Sequence, residues 1–216
     1  MPSGVIFDLD GTLLDSIGDL VDAANIVLKT HGYPIHTIPA FKEMVGDGIH
    51  VLVQRMLPEE HRSLEEINKI VLEMGSLYEK ISRNKTVPFK GVPEVLDALK
   101  VLDMPMAILS NKPQIFMIEM VNELLPRWHF EPVWGVQDGR PKKPDPGAAL
   151  AIAEGWGKQP SDCLFVGDSE PDIRTAKNAG MISVAVTWGF RSIERLAKES
   201  PDYLIHKPMD LLDLFR

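Results

Sequence analysis

Cysteine is almost absent. Cys163 is the only one in 216 residues, so neither an intramolecular disulfide nor a cysteine-rich zinc site is possible. That scarcity suits a reducing compartment. Basic charge is short as well: 23 Lys plus Arg stand against 31 Asp plus Glu, a net charge of −8. Non-specific nucleic-acid binding relies on a basic footprint that this balance does not supply. A small anionic substrate stays compatible, because a site can be locally cationic within an acidic protein. No apolar run reaches the roughly 20 residues that a bilayer-crossing helix needs. The opening MPSGVIFDLD has no basic n-region and is interrupted at Asp8, too early for a secretory signal. These absences predict a cytoplasmic protein with no membrane or nucleic-acid partner. Repeats and low-complexity tracts are missing too. What is present is ordinary for a globular chain, 44% hydrophobic and 25% charged, enough for one core and a smaller satellite.

Residues 5–7 form a short apolar run rich in strand formers, ending at Asp8-Leu9-Asp10 and the turn residue Gly11. Residues 17–86 show helical periodicity and no convincing strand. One stripe runs through Leu20, Ala23, Ala24, Val27 and Leu28 and closes at His31-Gly32. A second takes in Ile49, Leu52, Val53, Met56 and Leu57, and a third Leu64, Ile67, Ile70, Val71, Met74, Leu77 and Ile81. After Pro88, helices and strands alternate. Helices are expected near 92–102, 114–125, 146–154 and 171–180, and strands at 106–109, 133–136, 163–166, 182–186 and 203–205. The pattern predicts an α/β fold: a Rossmann-like parallel sheet with helices on both faces, and an inserted helical unit. Ligands of such sheets bind outside the carboxyl ends of the strands. The polar clusters of this chain follow its apolar runs at just those ends.

Asp8 and Asp10 are two apart, so on a strand they share a face. Crowded carboxylates repel unless a cation or a shared proton relieves them. Read alone, the pair could equally be a strand-end cap and a turn residue. Gly11 and Thr12 follow, with backbone N–H groups able to face a phosphate. Ser110, Asn111 and Lys112 end the next strong apolar run, and a hydroxyl, a backbone N–H and an ammonium can cradle phosphate oxygens. In isolation they fit a polar loop with a surface lysine, as Lys142-Lys143 fits a solvated basic turn. Gly167-Asp168 closes another apolar run, and Asp172 lies in the first turn of the helix that follows. Two such carboxylates suit a hard cation such as magnesium, or simply cap the helix. The order of these elements along the chain decides between the readings.

That order resembles the haloacid dehalogenase-like hydrolase superfamily, in its phosphoglycolate phosphatase-like branch. FDLDGTLLDS at 7–16, LSNK at 109–112, KKPDP at 142–146 and FVGDSEPD at 165–172 are similar to its four motifs, over nearly the whole chain. The resemblance implies a magnesium-dependent (Mg2+) phosphatase acting on a small phosphorylated metabolite, with 2-phosphoglycolate favoured. A sugar-phosphate mutase, a pyrophosphatase and a non-catalytic phosphate-ligand binding protein are the alternatives. Asp8 would be the nucleophile, Asp10 the acid and base, and Lys143 the neutralising cation. Gly11, Thr12, Ser110, Asn111 and Lys112 would hold the phosphate. Asp8, Asp168 and the Asp10 carbonyl would bind the metal, with Asp172 orienting a water on it or Lys143. The chain lacks the histidine that the mutases carry after their first motif, and it keeps the Asp10 that dehalogenating members do not need.

The resemblance divides the chain into a catalytic core, 1–15 and 89–216, and a helical cap, 16–88. The cap loop Val45-Gly46-Asp47-Gly48 resembles a substrate-specificity loop, making Gly46, Asp47 and Gly48 candidate substrate contacts. Where relatives often place an aromatic-Pro-Gly hinge, this chain has Phe89-Lys90-Gly91. A monomer or homodimer is expected. His31, His36 and His129 are too scattered to suggest a metal site, and the four tryptophans read as packing residues. The helix bearing Ile115, Phe116, Met117, Ile118, Met120 and Val121 is apolar almost all round, which predicts either burial, the favoured reading, or a place partly in a subunit interface.

Overall fold

A computed structural model describes residues 1–216 and divides the chain into two units, Met1–Leu14 with Pro88–Arg216, and Asp15–Val87. The first begins with strand β1 (Gly4–Phe7), all four residues of which are buried. A strand covered on both faces has no reason to alternate polar and apolar residues, and GVIF does not. The chain crosses between the units through β2 (Leu14–Asp15) and β3 (Val87–Pro88), which pair with each other.

The unit between those crossings is helical: α1 (Ile17–Thr30), α2 (Ile38–Lys42), α3 (Ile49–Met56) and α4 (Leu64–Ile81). Helices α1 and α3 both pack on α4; the buried residues include Val21, Ala24 and Leu28 of α1, Leu52, Val53 and Met56 of α3, and Ile67, Ile70 and Met74 of α4. Thr37 and Ser63 cap α2 and α4 with their side chains. Asp19, in the first turn of α1, is buried. It accepts hydrogen bonds from the backbone N–H groups of Lys85 and Thr86 and from the Thr86 hydroxyl, tying the unit's two ends together.

After β3 the remaining elements are α5 (Val92–Val101), β4 (Met106–Pro113), α6 (Gln114–Leu124), β5 (Val133–Val136), α7 (Gly147–Gly155), β6 (Cys163–Gly167), α8 (Glu170–Ala179), β7 (Ile182–Val186), α9 (Ile193–Lys198) and β8 (Tyr203–Ile205). The sheet order is β5-β4-β1-β6-β7-β8, and every pair is parallel. The chain therefore moves outward from β1 to β5, then returns to the other side of β1 and moves outward again. Such a reversal opens a crevice at the carboxyl ends of β1 and β6. Ile6, Phe165, Leu109 and Cys163 form one side of the core with alanines of α7 and α8, while Ile173, Ala185 and Leu196 cluster beneath α9. Burial raises the Cys163 thiol above its usual value, as it does for any small apolar-packed thiol.

Two expectations change. The strand read as 106–109 runs on to Pro113, with a register irregularity against β5 between Leu109 and Pro113. Polar residues can continue a buried strand when their side chains find partners, as Asn111 does on the Lys143 backbone and Lys112 on Asp10. Helix α6 is not buried all round. Met117, Met120 and Val121 form the buried stripe, spaced to cover β4 and β5, whereas Ile115 is 73% and Ile118 45% exposed.

Candidate active site

Asp8 follows β1 directly, and its backbone N–H donates to the Val166 carbonyl at 2.9 Å, which holds it beside the end of β6. Asp168 follows β6, and Asp172 sits in the first turn of α8. One oxygen from each of the three lies within 4.8 Å of the others, and all three residues are buried. Lys143 reaches in from the loop before α7. Its ammonium is 2.9 Å from Asp8 Oδ1 and 2.5 Å from Asp172 Oδ1. Residues 8, 143, 168 and 172, far apart along the chain, thus converge at one sheet edge.

The electrostatics are strained. Burial pushes the Asp8 carboxyl up to about 6; Lys143 and the Ser110 hydroxyl pull it down, while Asp172 adds to the rise. Burial, then the charges of Asp172 and Asp8, push Asp168 up to about 8 against the Phe190 N–H and Arg191. Burial opposes the charge on Lys143, but Asp172 and Asp8 outweigh it and leave the ammonium harder to deprotonate than usual. Asp8 Oδ1 is buried against the Lys143 ammonium, at 2.9 Å, and has no other hydrogen-bond partner. One ammonium shared between two of three buried carboxylates leaves negative charge that a hard divalent cation relieves, and the all-oxygen donor set fits one.

The remaining motif residues are allotted to separate tasks. Asp172 Oδ2 accepts the Ser169 backbone N–H at 2.9 Å and its hydroxyl at 2.5 Å, so both Asp172 oxygens are engaged within the protein. Asn111 grips the Lys143 backbone in both directions: Lys143 N–H donates to Oδ1 at 2.8 Å and Nδ2 donates to the Lys143 carbonyl at 3.1 Å. Ser110 is buried beside Asp8, with Lys112 N–H on its hydroxyl at 3.4 Å. The Lys112 ammonium meets both oxygens of Asp10, at 2.9 and 3.0 Å. Thr12 donates to Asp168 Oδ1 at 3.4 Å. Gly11 has φ +84°, and a Cβ there would fall 2.3 Å from Asp168 Oδ2, so the turn needs a glycine.

Gly46, Asp47 and Gly48 belong to the helical unit. The two glycines have φ of +112° and +91°, and Asp47 pairs with Arg55 at 2.7 Å.

Residues after β7 also serve the site, and sequence reading passed them over. Phe190 N–H donates to Asp168 Oδ2 at 2.6 Å, and Trp188 Nε1 donates to the Thr12 carbonyl at 3.0 Å. A Cβ on Gly189 would lie 2.3 Å from Asp168 Cβ and 2.4 Å from the Gly11 carbonyl oxygen. Buried Arg191 pairs with Glu170 at 2.9 Å, and Arg195 with the other oxygen of the same carboxylate. The available signal was positional: Thr187-Trp188-Gly189 leaves the carboxyl end of a strand one place beyond β6. Trp188 therefore does more than pack.

Residues 5–186 match the haloacid dehalogenase-like hydrolase family. The chain is 35% identical over 215 residues to phosphoglycolate phosphatase 1 of Pseudomonas aeruginosa, covering 98% of this chain and 79% of that one. It is 31% identical to a phosphoglycolate phosphatase of Vibrio parahaemolyticus, over 97% of this chain and 94% of that one. A crystal structure from Lactobacillus delbrueckii subsp. bulgaricus, of a protein proposed to be a phosphoglycolate phosphatase, superposes with a TM-score of 0.92 at 29% identity. It covers 99% of this chain and 98% of that one.

Proposed function

The chain belongs to the haloacid dehalogenase-like hydrolases as a phosphatase of the phosphoglycolate phosphatase-like branch, and we propose that it hydrolyses a small phosphomonoester through an aspartyl-phosphate on Asp8. The observation that carries this reading is Asp8 itself, a buried carboxylate at the sheet's switch point whose Oδ1 meets the Lys143 ammonium at 2.9 Å and no other hydrogen-bond partner. A carboxylate that only binds has no need of such a setting; a nucleophile activated beside a cation does.

Asp8 attacks phosphorus in line with the departing oxygen. Asp10 protonates that oxygen and then takes the proton of the water that hydrolyses the acyl phosphate. Lys143 neutralises charge on Asp8 and on the transferring group, while Asn111 holds its backbone and Asp172 its ammonium. Ser110 donates to a phosphoryl oxygen, as does the Asn111 N–H; the Gly11 and Thr12 N–H groups, expected to face the phosphate, instead donate to the Leu14 and Leu9 carbonyls at 2.9 and 3.3 Å and shape the turn. Asp8 and Asp168, with the Asp10 carbonyl, would hold magnesium, which supplies charge neutralisation on the phosphoryl oxygens. Asp172, whose Oδ1 takes the Lys143 ammonium and whose Oδ2 takes the Ser169 N–H and hydroxyl, would orient Lys143 beside the metal. Positioning and electrostatics carry such a reaction.

The relatives' names favour 2-phosphoglycolate as substrate. The loop of Gly46, Asp47 and Gly48 is the candidate for reading the substrate's non-phosphate end, so Asp47→Ala should raise KM on the true substrate and not on an aryl phosphate. No helix is long and apolar enough to cross a membrane, and a single buried cysteine supports a cytoplasmic setting. The deciding experiment measures phosphate release from 2-phosphoglycolate and p-nitrophenyl phosphate, with magnesium and with chelator, beside Asp8→Asn. Magnesium-dependent release that the substitution abolishes is expected; no release from a broad phosphoester panel would refute the reading.

A further inference from the structure

Two buried lysines divide the carboxylates of the site. Lys143 stands between Asp8 and Asp172; Lys112 meets Asp10 alone among them. The Lys112 side chain is 5% exposed and that of Asp10 22%, so the ammonium lies beneath the carboxylate rather than above it. An ammonium taken out of water costs several kcal/mol unless it is paired, and the pairing here engages both Asp10 oxygens, at 2.9 and 3.0 Å. A two-point contact fixes the rotation of the carboxyl as well as its place. The sheet imposes this meeting: β1 and β4 run side by side with Phe7 level with Ile108, and the continuation of β4 to Pro113 carries Lys112 up beside Asp10.

From this juxtaposition we infer that Lys112 is a positioning residue for proton transfer, holding the Asp10 carboxyl where the leaving oxygen will be, and not a ligand of the phosphate. The inference rests on the phosphatase reading above. In the first half-reaction the ester P–O bond breaks as Asp8 oxygen bonds to phosphorus, and the departing alkoxide takes a proton that Asp10 carries on one oxygen while its other oxygen accepts from Lys112. In the second, a water oxygen bonds to phosphorus, the Asp8–phosphorus bond breaks, and the water's proton passes to Asp10. Lys112 keeps its own protons throughout. Three consecutive residues of β4 thereby serve three partners: Ser110 the phosphoryl group, Asn111 the Lys143 backbone, and Lys112 the acid.

Leaving-group dependence tests this. A nitrophenolate departs without a proton, whereas an alkoxide needs one, so an impaired acid is felt on alkyl esters alone. Lys112→Met should lower kcat on an alkyl phosphate by roughly 10–100-fold and on p-nitrophenyl phosphate by about threefold at most, with KM little changed. Lys112→Arg, which keeps a cation, should recover most of the loss. In an Asp10→Asn background Lys112→Met should cost nothing further. Equal losses on both esters, or a raised KM on both with kcat intact, would place the ammonium on the phosphate and overturn the inference. Should the Met variant not purify folded, Lys112→Gln carries the same comparison. A wild-type protein inactive on both esters would instead refute the phosphatase reading, a result distinct from either.

Discussion

Replacing Asp168 by Asn should stabilise the metal-free protein while abolishing its response to magnesium. Three ionised carboxylates, Asp8, Asp168 and Asp172, would surround a single ammonium that touches two of them. Burial and its two acidic neighbours push Asp168 up to about 8 from an ordinary 3.8. A carboxyl that is harder to ionise folded than unfolded binds its proton more tightly in the native state. Its contribution is therefore most favourable below about pH 4 and is lost progressively as pH rises to about 8. At pH 7 the gap is about 3 units, worth at most about 4 kcal/mol at roughly 1.4 kcal/mol per unit. Relaxation and water entry around the cluster reduce this to about 2 kcal/mol, or roughly 4–8 °C in Tm for a chain of this length.

Asn keeps an acceptor for the Phe190 N–H and can turn its amide toward the Thr12 hydroxyl, so the substitution removes charge with little loss of shape. The assay is thermal unfolding in chelator and in magnesium, across pH 4 to 8. In chelator the variant should melt above wild type at pH 7, and its advantage should vanish toward pH 4. Wild type should gain from magnesium by mass action; the variant should not. A variant that melts at or below wild type in chelator, or gains as much from magnesium, would refute the placing of strain and metal at this cluster.

Other outcomes follow from the same geometry. Asn111→Ala removes both bonds to the Lys143 backbone and should lower kcat by roughly 10–100-fold with little change in KM, read by steady-state kinetics. Gly189→Ala inserts a Cβ against Asp168 and the Gly11 carbonyl; about 1–3 kcal/mol of stability and much of the magnesium affinity should go, read by denaturant titration and calorimetry. Asp19→Ala leaves the Lys85 and Thr86 N–H groups without their buried acceptor. It should cost about 1–3 kcal/mol and speed amide exchange at residues 85 and 86 ahead of the rest of the chain.

What could be read in advance was the placement of chemistry along strands. GVIF, MAIL and CLFVG are continuous apolar runs because both sheet faces are covered, and the polar residues after them could only emerge at the carboxyl edge. Asp8, Ser110 and Asp168 were legible for that reason. The pairing of side chains was not, because it depends on which strands are neighbours. Lys112 meets Asp10 only because β4 lies beside β1, and Phe190 reaches Asp168 only because β7 lies beside β6. The exposed face of α6 escaped for a related reason: its Ile115 and Ile118 have the hydrophobicity of core residues, and only the sheet decides which side of the helix it covers.

The same dependence explains why β4 outlasts its apolar run. A strand whose last residues are Ser, Asn and Lys would be expected to fray into a loop, since each would place an unpaired polar group in the interior. Here Asn111 is satisfied by the Lys143 backbone and Lys112 by the Asp10 carboxylate, so the strand persists through residues that argue against it. Those partners arrive from loops after other strands, on either side of some thirty and a hundred residues of chain. The site is thus part of what holds β4 in register to Pro113. Substitutions there should move stability and activity together, in contrast to Asp168→Asn, where removing one charge should move them apart.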